Sequence, residues 1–339
     1  VTGVQTCALP ILLMLLISMS MLFLGIKIGS VQISLTDLLQ ILVKKTVSED
    51  GILEGIIWNV RLPRVVMAYL VGAGLAVSGT VMQSLLGNPL ASSYTLGVSA
   101  GASLGAALIM VTGVTASILG AFLLPLTGFI FGLATVFLVL LFTQTMDSQM
   151  SNQTVVLVGM IMTLFVGAIL TLITALFQDY LKQLVFWQMG SFSGSNWQKI
   201  AIYCPILLVS SLFLWFDANA LDVLGLGEEH AMLSGVEVKT AKLRIILLAS
   251  LLAGSAVSFV GVIGFVDLIA PHIVRRYLGA THRWLIPGSA ILGGTIMVIG
   301  DTIARTILSP REIPIGAVTA LIGAPFFLYI YFKKRRVAA

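Results

Sequence analysis

Between Arg64 and Asp179 the chain runs for 114 residues (65–178) with one charged side chain, Asp147. One bilayer crossing takes about 20 apolar residues, so this stretch alone accommodates about four membrane helices. The whole chain agrees: 58% of its residues are hydrophobic and 10% charged, with a mean hydropathy of +1.06, far from the usage of a soluble domain. Runs such as AFLLPLTGFIFGLATVFLVLLF are apolar on every side. Alternate polar and apolar positions would mark a transmembrane β-barrel, and that fold is excluded.

Apolar runs predict an all-α membrane protein of about ten transmembrane helices, near 9–28, 65–86, 94–112, 114–142, 154–177, 198–216, 243–262, 264–276, 284–308 and 313–332. No polar interval exceeds the roughly 35 residues around 27–61, so residues 12–339 read as one membrane domain. Residues 1–11, VTGVQTCALPI, read as a non-native extension. They begin with Val, lack a basic n-region and back-translate to something resembling a sequencing adaptor, so Cys7 is set aside. Gly97, Gly101 and Gly105 recur at four-residue steps, a small-residue stripe that lets helix backbones approach closely.

Two cysteines, Cys7 and Cys204, offer neither a disulfide framework nor a CxxC spacing. His230, His272 and His282 show no ligand spacing, so no metal or cofactor is expected on this chain. The net charge of +5 reads as topology and docking signals, with no nucleic-acid partner. With both ends in the cytoplasm, inside loops collect ten of the nineteen Lys and Arg, mainly in the 275–283 loop and the KKRR tail at 333–336. Arg61, Arg64, Arg305 and Arg311 fall outside. Helix-end arginines can meet acidic groups on a partner, snorkel to headgroups or, for Asp301 and Arg305, pair at i,i+4.

Two polar interruptions stand out. LDVLGLGEEHAMLSGVEV (221–238) places Leu224, Leu226, Met232 and Leu233 beside Glu228, Glu229 and His230, with Gly235 as a C-cap. A short helix lying on a partner fits better than one resting on an anionic leaflet, which would repel the two glutamates. GNPLASSYTLGVSAGA (87–102) carries an Asn-Pro turn on the inner side between the second and third helices, and by spacing alone is an ordinary helix hairpin.

Asp267 lies in or near the hydrocarbon, where an acid costs roughly 2.5–3.5 kcal/mol on insertion scales. It is expected to pair with Arg275 or Arg276 or to cap a helix start, ahead of any role in substrate choice. Asp267 and Asp301 also frame two rival functions: an ion-coupled secondary transporter, which needs titratable groups near the midplane, or a membrane enzyme, which needs two carboxylates sharing a proton.

RLPR (61–64), GAGLAVSGTVMQSLLGNPLA (72–91), LGVSAGA (96–102), GVIGFVDLIAPHIVRRYLGATHRWLIPGSAILGG (261–294), DTIAR (301–305) and EIPIGAVTALIGAPFF (312–327) resemble the FecCD-type permease subunits of type II ABC importers for iron-siderophores, haem and cobalamin. The resemblance spans residues 55–333 in unbroken order, departing at Asp267, where the family usually has Gly, and at Ser93, where it often has Pro. It implies a multi-pass subunit of the bacterial cytoplasmic membrane, paired with a second permease copy or paralogue. ATPase subunits would lie below and an extracytoplasmic substrate-binding protein above. No GxxxxGK[ST] loop is present, so ATP and Mg would belong to the partner ATPase and this chain would not be an enzyme. By the same resemblance Asn88, Pro89 and Leu90 form the cytoplasmic gate, with a second collar at 147–152. Glu228, Glu229 and Gly235 couple to the ATPase, and Arg61, Arg64 and Arg305 dock the binding protein.

Overall fold

The path of one helix organises the molecule. In this computed structural model, which describes residues 2–29, 31–44, 51–113 and 118–338, every regular element is helical. The central helix begins as α3 (Ile52–Gly55), passes through a π-turn (Ile56–Arg61) and continues as α4 (Leu62–Leu85). The π-turn has a local cause: Pro63 has no N–H to give the preceding turn, and the wider register ahead of it absorbs the unmatched carbonyl. Ile52–Leu85 is 83% buried in its most apolar window, against 17% for Leu9–Lys27 and 22% for Asn152–Leu176, which places it at the centre.

Against it pack α14 (His282–Thr306), α12 (Val238–Val260), α9 (Trp197–Phe216) and α1 (Thr2–Lys27); α6 (Ile118–Met146) packs on the far side of α12, and α7 (Asn152–Leu176) on α6. Glycines set the closest crossings. A Cβ on Gly72 would lie 2.3 Å from the Gly293 carbonyl oxygen of α14, and one on Gly74 would lie 2.1 Å from the Tyr203 hydroxyl of α9. The stripe at Gly97, Gly101 and Gly105 packs on α6, where a Cβ at Gly101 would meet Thr135 Oγ1 at 2.3 Å and one at Gly105 the Thr127 carbonyl at 2.5 Å.

All ten expected apolar segments are helical, except that residues 114–117 of the fourth lie outside the described residues. Their lengths depart from expectation. Among the described residues seven helices are long and apolar enough to cross a membrane. The third, α5 (Val98–Val111), has 14 residues, and the eighth, α13 (Val266–Leu278), has 13. At about 1.5 Å per residue both span roughly 20 Å, short of the roughly 30 Å hydrocarbon layer. Each is preceded by unwound chain: 86–97, containing a 3₁₀ turn (Ser93–Leu96), and 261–265. The two stretches meet inside the protein, where Tyr94 donates its hydroxyl proton to the Ile263 carbonyl at 2.9 Å. Irregular backbone survives at membrane depth only where the protein itself satisfies it, as here.

Four further short helices lie outside the expected spans: α2 (Leu35–Lys44), α8 (Leu181–Gln188), α10 (Ala218–Leu224) and α11 (Glu228–Leu233). The last helix, α15 (Ile315–Ala338), starts beside the 189–190 turn, with Gly316 N–H donating to the Met189 carbonyl at 3.0 Å.

Candidate functional site

The bundle has two polar ends of different character. At the Leu85 end of α4, Gly87 takes a left-handed φ of 60°, and the chain turns through Asn88, Pro89 and Leu90. The Asn88 side-chain oxygen accepts the Leu90 N–H at 2.9 Å and its carbonyl accepts Ala91 N–H at 3.0 Å, so the turn is self-supported. Its tip is exposed, Leu90 at 57%. The expected second collar lies nearby. The Ser151 hydroxyl, with the N–H groups of Ser151 (2.8 Å) and Gln149 (3.0 Å), hydrogen-bonds the Asp147 carboxyl and holds it down at about 2, and Asn152 donates to the Leu85 carbonyl at 2.9 Å.

The 221–238 segment occupies the same end. Leu221, Leu224 and Ala231 are buried, whereas Leu226 is 73% exposed, Met232 51% and Leu233 86%. α11 closes in a Schellman motif: Gly235 N–H bonds the Met232 carbonyl, Val236 N–H bonds the Ala231 carbonyl, and Gly235 takes a φ of +80°. Glu229 and Gly235 face outward with the apolar side chains. Glu228 does not. Lys242, fully buried on α12, donates to Glu228 Oε1 at 2.6 Å and to the Met150 carbonyl at 2.8 Å. Glu228 is therefore an internal tie between α11 and the 147–151 loop. Lys242→Met is expected to lower stability by about 1–3 kcal/mol, because the Met150 carbonyl would stay buried without its donor. Glu228→Gln is expected to cost less, its carboxyl being 28% exposed and open to rehydration. Thermal unfolding of the detergent-solubilised protein measures both.

The Arg64 end is a closed charge cluster. Arg64 Nε donates to both oxygens of Asp301 at 3.0 Å, Nη2 to Asp301 Oδ1 at 2.8 Å, and Nη1 to Glu312 Oε1 at 2.6 Å. Arg305 donates to the Gly25 carbonyl and lies 3.7 Å from Asp301 at i,i+4. Arg61 donates to the carbonyls of Ile26 (3.1 Å), Lys27 (2.8 Å) and Val31. All three arginines are buried. Arg61, Arg64 and Arg305, the residues expected to dock a binding protein, direct their guanidinia to acceptors within the chain, with Arg305 Nε left without a hydrogen-bond partner. Among the described residues, Arg311 and Lys182 are exposed basic side chains on this end.

Asp267 stands in the first turn of α13 without capping it: the N-cap is Phe265, and the Leu268 N–H is taken by the Phe265 carbonyl at 3.1 Å. Its carboxylate accepts from Ser92 Oγ. It does not pair with Arg275, which donates instead to Gln83 and, at 3.2 Å, to Ser84. Asp267 sits against Gly79, whereas Asp301 pairs with Arg64, 15 residues earlier on α4, or about 22 Å at helical rise. Two acids so separated cannot share a proton. Among the described residues no cluster of three His, Cys, Asp or Glu side chains could hold a metal ion.

The residues that sequence reasoning missed are Gln83, Ser84, Asp222, Lys242, Arg275 and His282. Their partners lie up to 198 positions away, in the contact of His282 with Ser84. Lys242 shares the first two turns of α12 with Lys239 and Arg244, so nothing in the sequence singled it out as the buried one.

The model of the FecCD transport family matches residues 12–333. The hemin transport system permease protein of Yersinia pestis is 38% identical over 281 residues, 82% of this chain and 84% of that one. The molybdate import system permease protein of Haemophilus influenzae is 38% identical over 330 residues, 96% of this chain and 95% of that one. A solved inward-facing conformation of an ABC transporter assigned to the metal-chelate type superposes with a TM-score of 0.82 at 34% identity, covering 94% of this chain and 97% of the other.

Proposed function

We propose a transport cycle that starts from one premise: this chain belongs to the FecCD transport family. It is the multi-pass permease subunit of a bacterial ABC importer; it is not itself an enzyme, and the ATPase is a separate chain. The complex includes that ATPase and a substrate-binding protein.

Within that frame, the ATPase docks on the outward-facing side of segment 221–238, through Leu226, Glu229, Met232, Leu233 and Gly235. Asn88, Pro89 and Leu90 form the gate at the same end, completed by the equivalent turn of a second permease chain, identical or paralogous. The observation that carries this reading is the pair of exposed leucines and a methionine on one side of the segment, at a polar end of the bundle. A docked segment moves the gate only if its contacts differ between nucleotide states of the ATPase.

The cargo we propose is a ferric siderophore or a related metal chelate such as haem or cobalamin. The metal-chelate likeness over 94% of the chain supports it. Identity alone does not rank cargoes, since the hemin and molybdate relatives are equally similar at 38%. The binding protein is proposed to dock at the Arg64 end, on the exposed 307–311 loop and Arg311, rather than on the buried arginines.

The test is uptake by proteoliposomes holding permease, ATPase and binding protein, offered in turn a ferric siderophore, hemin, cobalamin and molybdate. ATP-dependent uptake of one of the first three, unaffected by ionophores, is expected. Uptake driven by an ion gradient without the ATPase would instead favour a secondary transporter, and uptake of molybdate alone would overturn the cargo assignment.

A further inference from the structure

The gate turn and segment 221–238 are in different parts of the chain, yet one continuous line of polar side chains joins them. It begins on α10. Asp222 Oδ1 accepts the backbone N–H of His282 at 2.9 Å and faces His282 Nδ1 at 2.6 Å. That contact fixes the imidazole with its Nδ1 proton toward Asp222, leaving Nε2 to meet Ser84 Oγ at 2.7 Å. Ser84 Oγ also accepts from Arg275 Nη2 at 3.2 Å, and Arg275 Nη1 donates to Gln83 Oε1. Gln83 Nε2 donates in turn to the Asp267 carbonyl at 3.2 Å, and the Asp267 carboxylate accepts from Ser92 Oγ.

The two ends of this line bracket the gate. Gln83 and Ser84 form the last turn of α4 just before Gly87, and Ser92 follows the turn directly. Both flanks are therefore tied to α13, one through Arg275 and the other through Asp267. α13 is tied in turn, through Ser84 and His282, to Asp222 of the docking segment. Beside the joint is a groove of about 500 Å³, open to the surface and lined by Gln83, Ser84, Asn88, Asp222, Arg275 and His282 among others. A well-packed joint would resist displacement, but an open groove of this size gives the turn room to move while the side chains keep their partners.

We propose that Ser84, Arg275 and His282 are positioning residues for transport, the linkage by which displacement of segment 221–238 is passed to the Asn88–Leu90 turn. The proposal rests on the reading of that segment as the ATPase dock. Ser84 is the joint at which the α14 and α13 branches meet, its hydroxyl contacting both His282 and Arg275.

The experiment compares Ser84→Ala with Ser84→Thr in the complete transporter, reading three quantities in nanodiscs or proteoliposomes: ATPase retained on purification, basal ATP hydrolysis, and cargo imported per ATP hydrolysed. Ser84→Ala is expected to retain the ATPase and its basal turnover while cargo per ATP falls about five- to tenfold, the scale of one lost buried hydrogen bond. Ser84→Thr keeps the hydroxyl and is expected to restore most of the ratio, which a purely steric role for residue 84 would not allow. Unchanged cargo per ATP in Ser84→Ala, no recovery in Ser84→Thr, or loss of ATPase retention would each overturn the linkage. The docking reading itself is tested separately, by ATPase retention in variants at Leu233, so the two can fail independently.

Discussion

Asp301→Ala is expected to destabilise the folded protein by about 3–5 kcal/mol, the range found when one partner of a buried ion pair is removed. The Asp301 side chain is 2% exposed and answers two guanidinia, Arg64 by direct hydrogen bonds and Arg305 at 3.7 Å. Without it, Arg64 retains only Glu312, and Arg305 has the Gly25 carbonyl and a 3.4 Å contact with Thr302. Arginine cannot escape the penalty by losing its proton, so the charge stays buried and unbalanced. Glu312→Gln makes the contrast, because Glu312 is 41% exposed and exposed pairs contribute about 0–1 kcal/mol. Thermal unfolding of the detergent-solubilised protein, followed by loss of the monodisperse size-exclusion peak, measures both. Equal shifts for the two variants would mean that the cluster is solvated and its arginines are free to serve an outside partner.

The same cluster shows where sequence reading reaches its limit. Helix positions were legible because lipid demands long apolar runs, and each expected run from 9–28 to 313–332 contains a helix among the described residues. Arginine roles were not legible, because Arg64 finds its acids 237 and 248 positions away and no local pattern encodes that. Snorkelling, docking and internal pairing all look alike in RLPR. The short span of α13 had a trace in the sequence: Asp267 and Arg275 are eight residues apart, about 12 Å of helix, too little apolar length between charges to cross a bilayer. The gate turn was legible as a break at Asn88 and Pro89, while its anchoring to Asp267 and Arg275 was not, since it depends on two broken helices meeting in space.

Leu233→Asp is expected to abolish ATP-driven uptake while leaving the membrane domain as stable as before. In the isolated subunit Leu233 is 86% exposed, so the substitution removes no internal contact and places a charge in water. Bound to the ATPase, the same side chain would lie in the core of an interface. There, truncation of a central residue costs 2 kcal/mol or more, about thirtyfold in affinity, and a buried unpaired carboxylate adds to it. Glu229→Gln should matter far less, since a rim charge acts mainly on the rate of encounter. Gly235 separates backbone from surface effects. A Cβ there would meet nothing within 4 Å, so Gly235→Arg is expected to leave membrane insertion intact yet abolish substrate-stimulated ATP hydrolysis, by straining the +80° φ and placing a charged side chain on the docking face. Gly235→Asn tolerates that φ and is expected to keep most of the stimulation. ATPase pull-down and stimulated hydrolysis with reconstituted variants measure each effect. Wild-type ATPase retention in Leu233→Asp would place the ATPase's seat elsewhere.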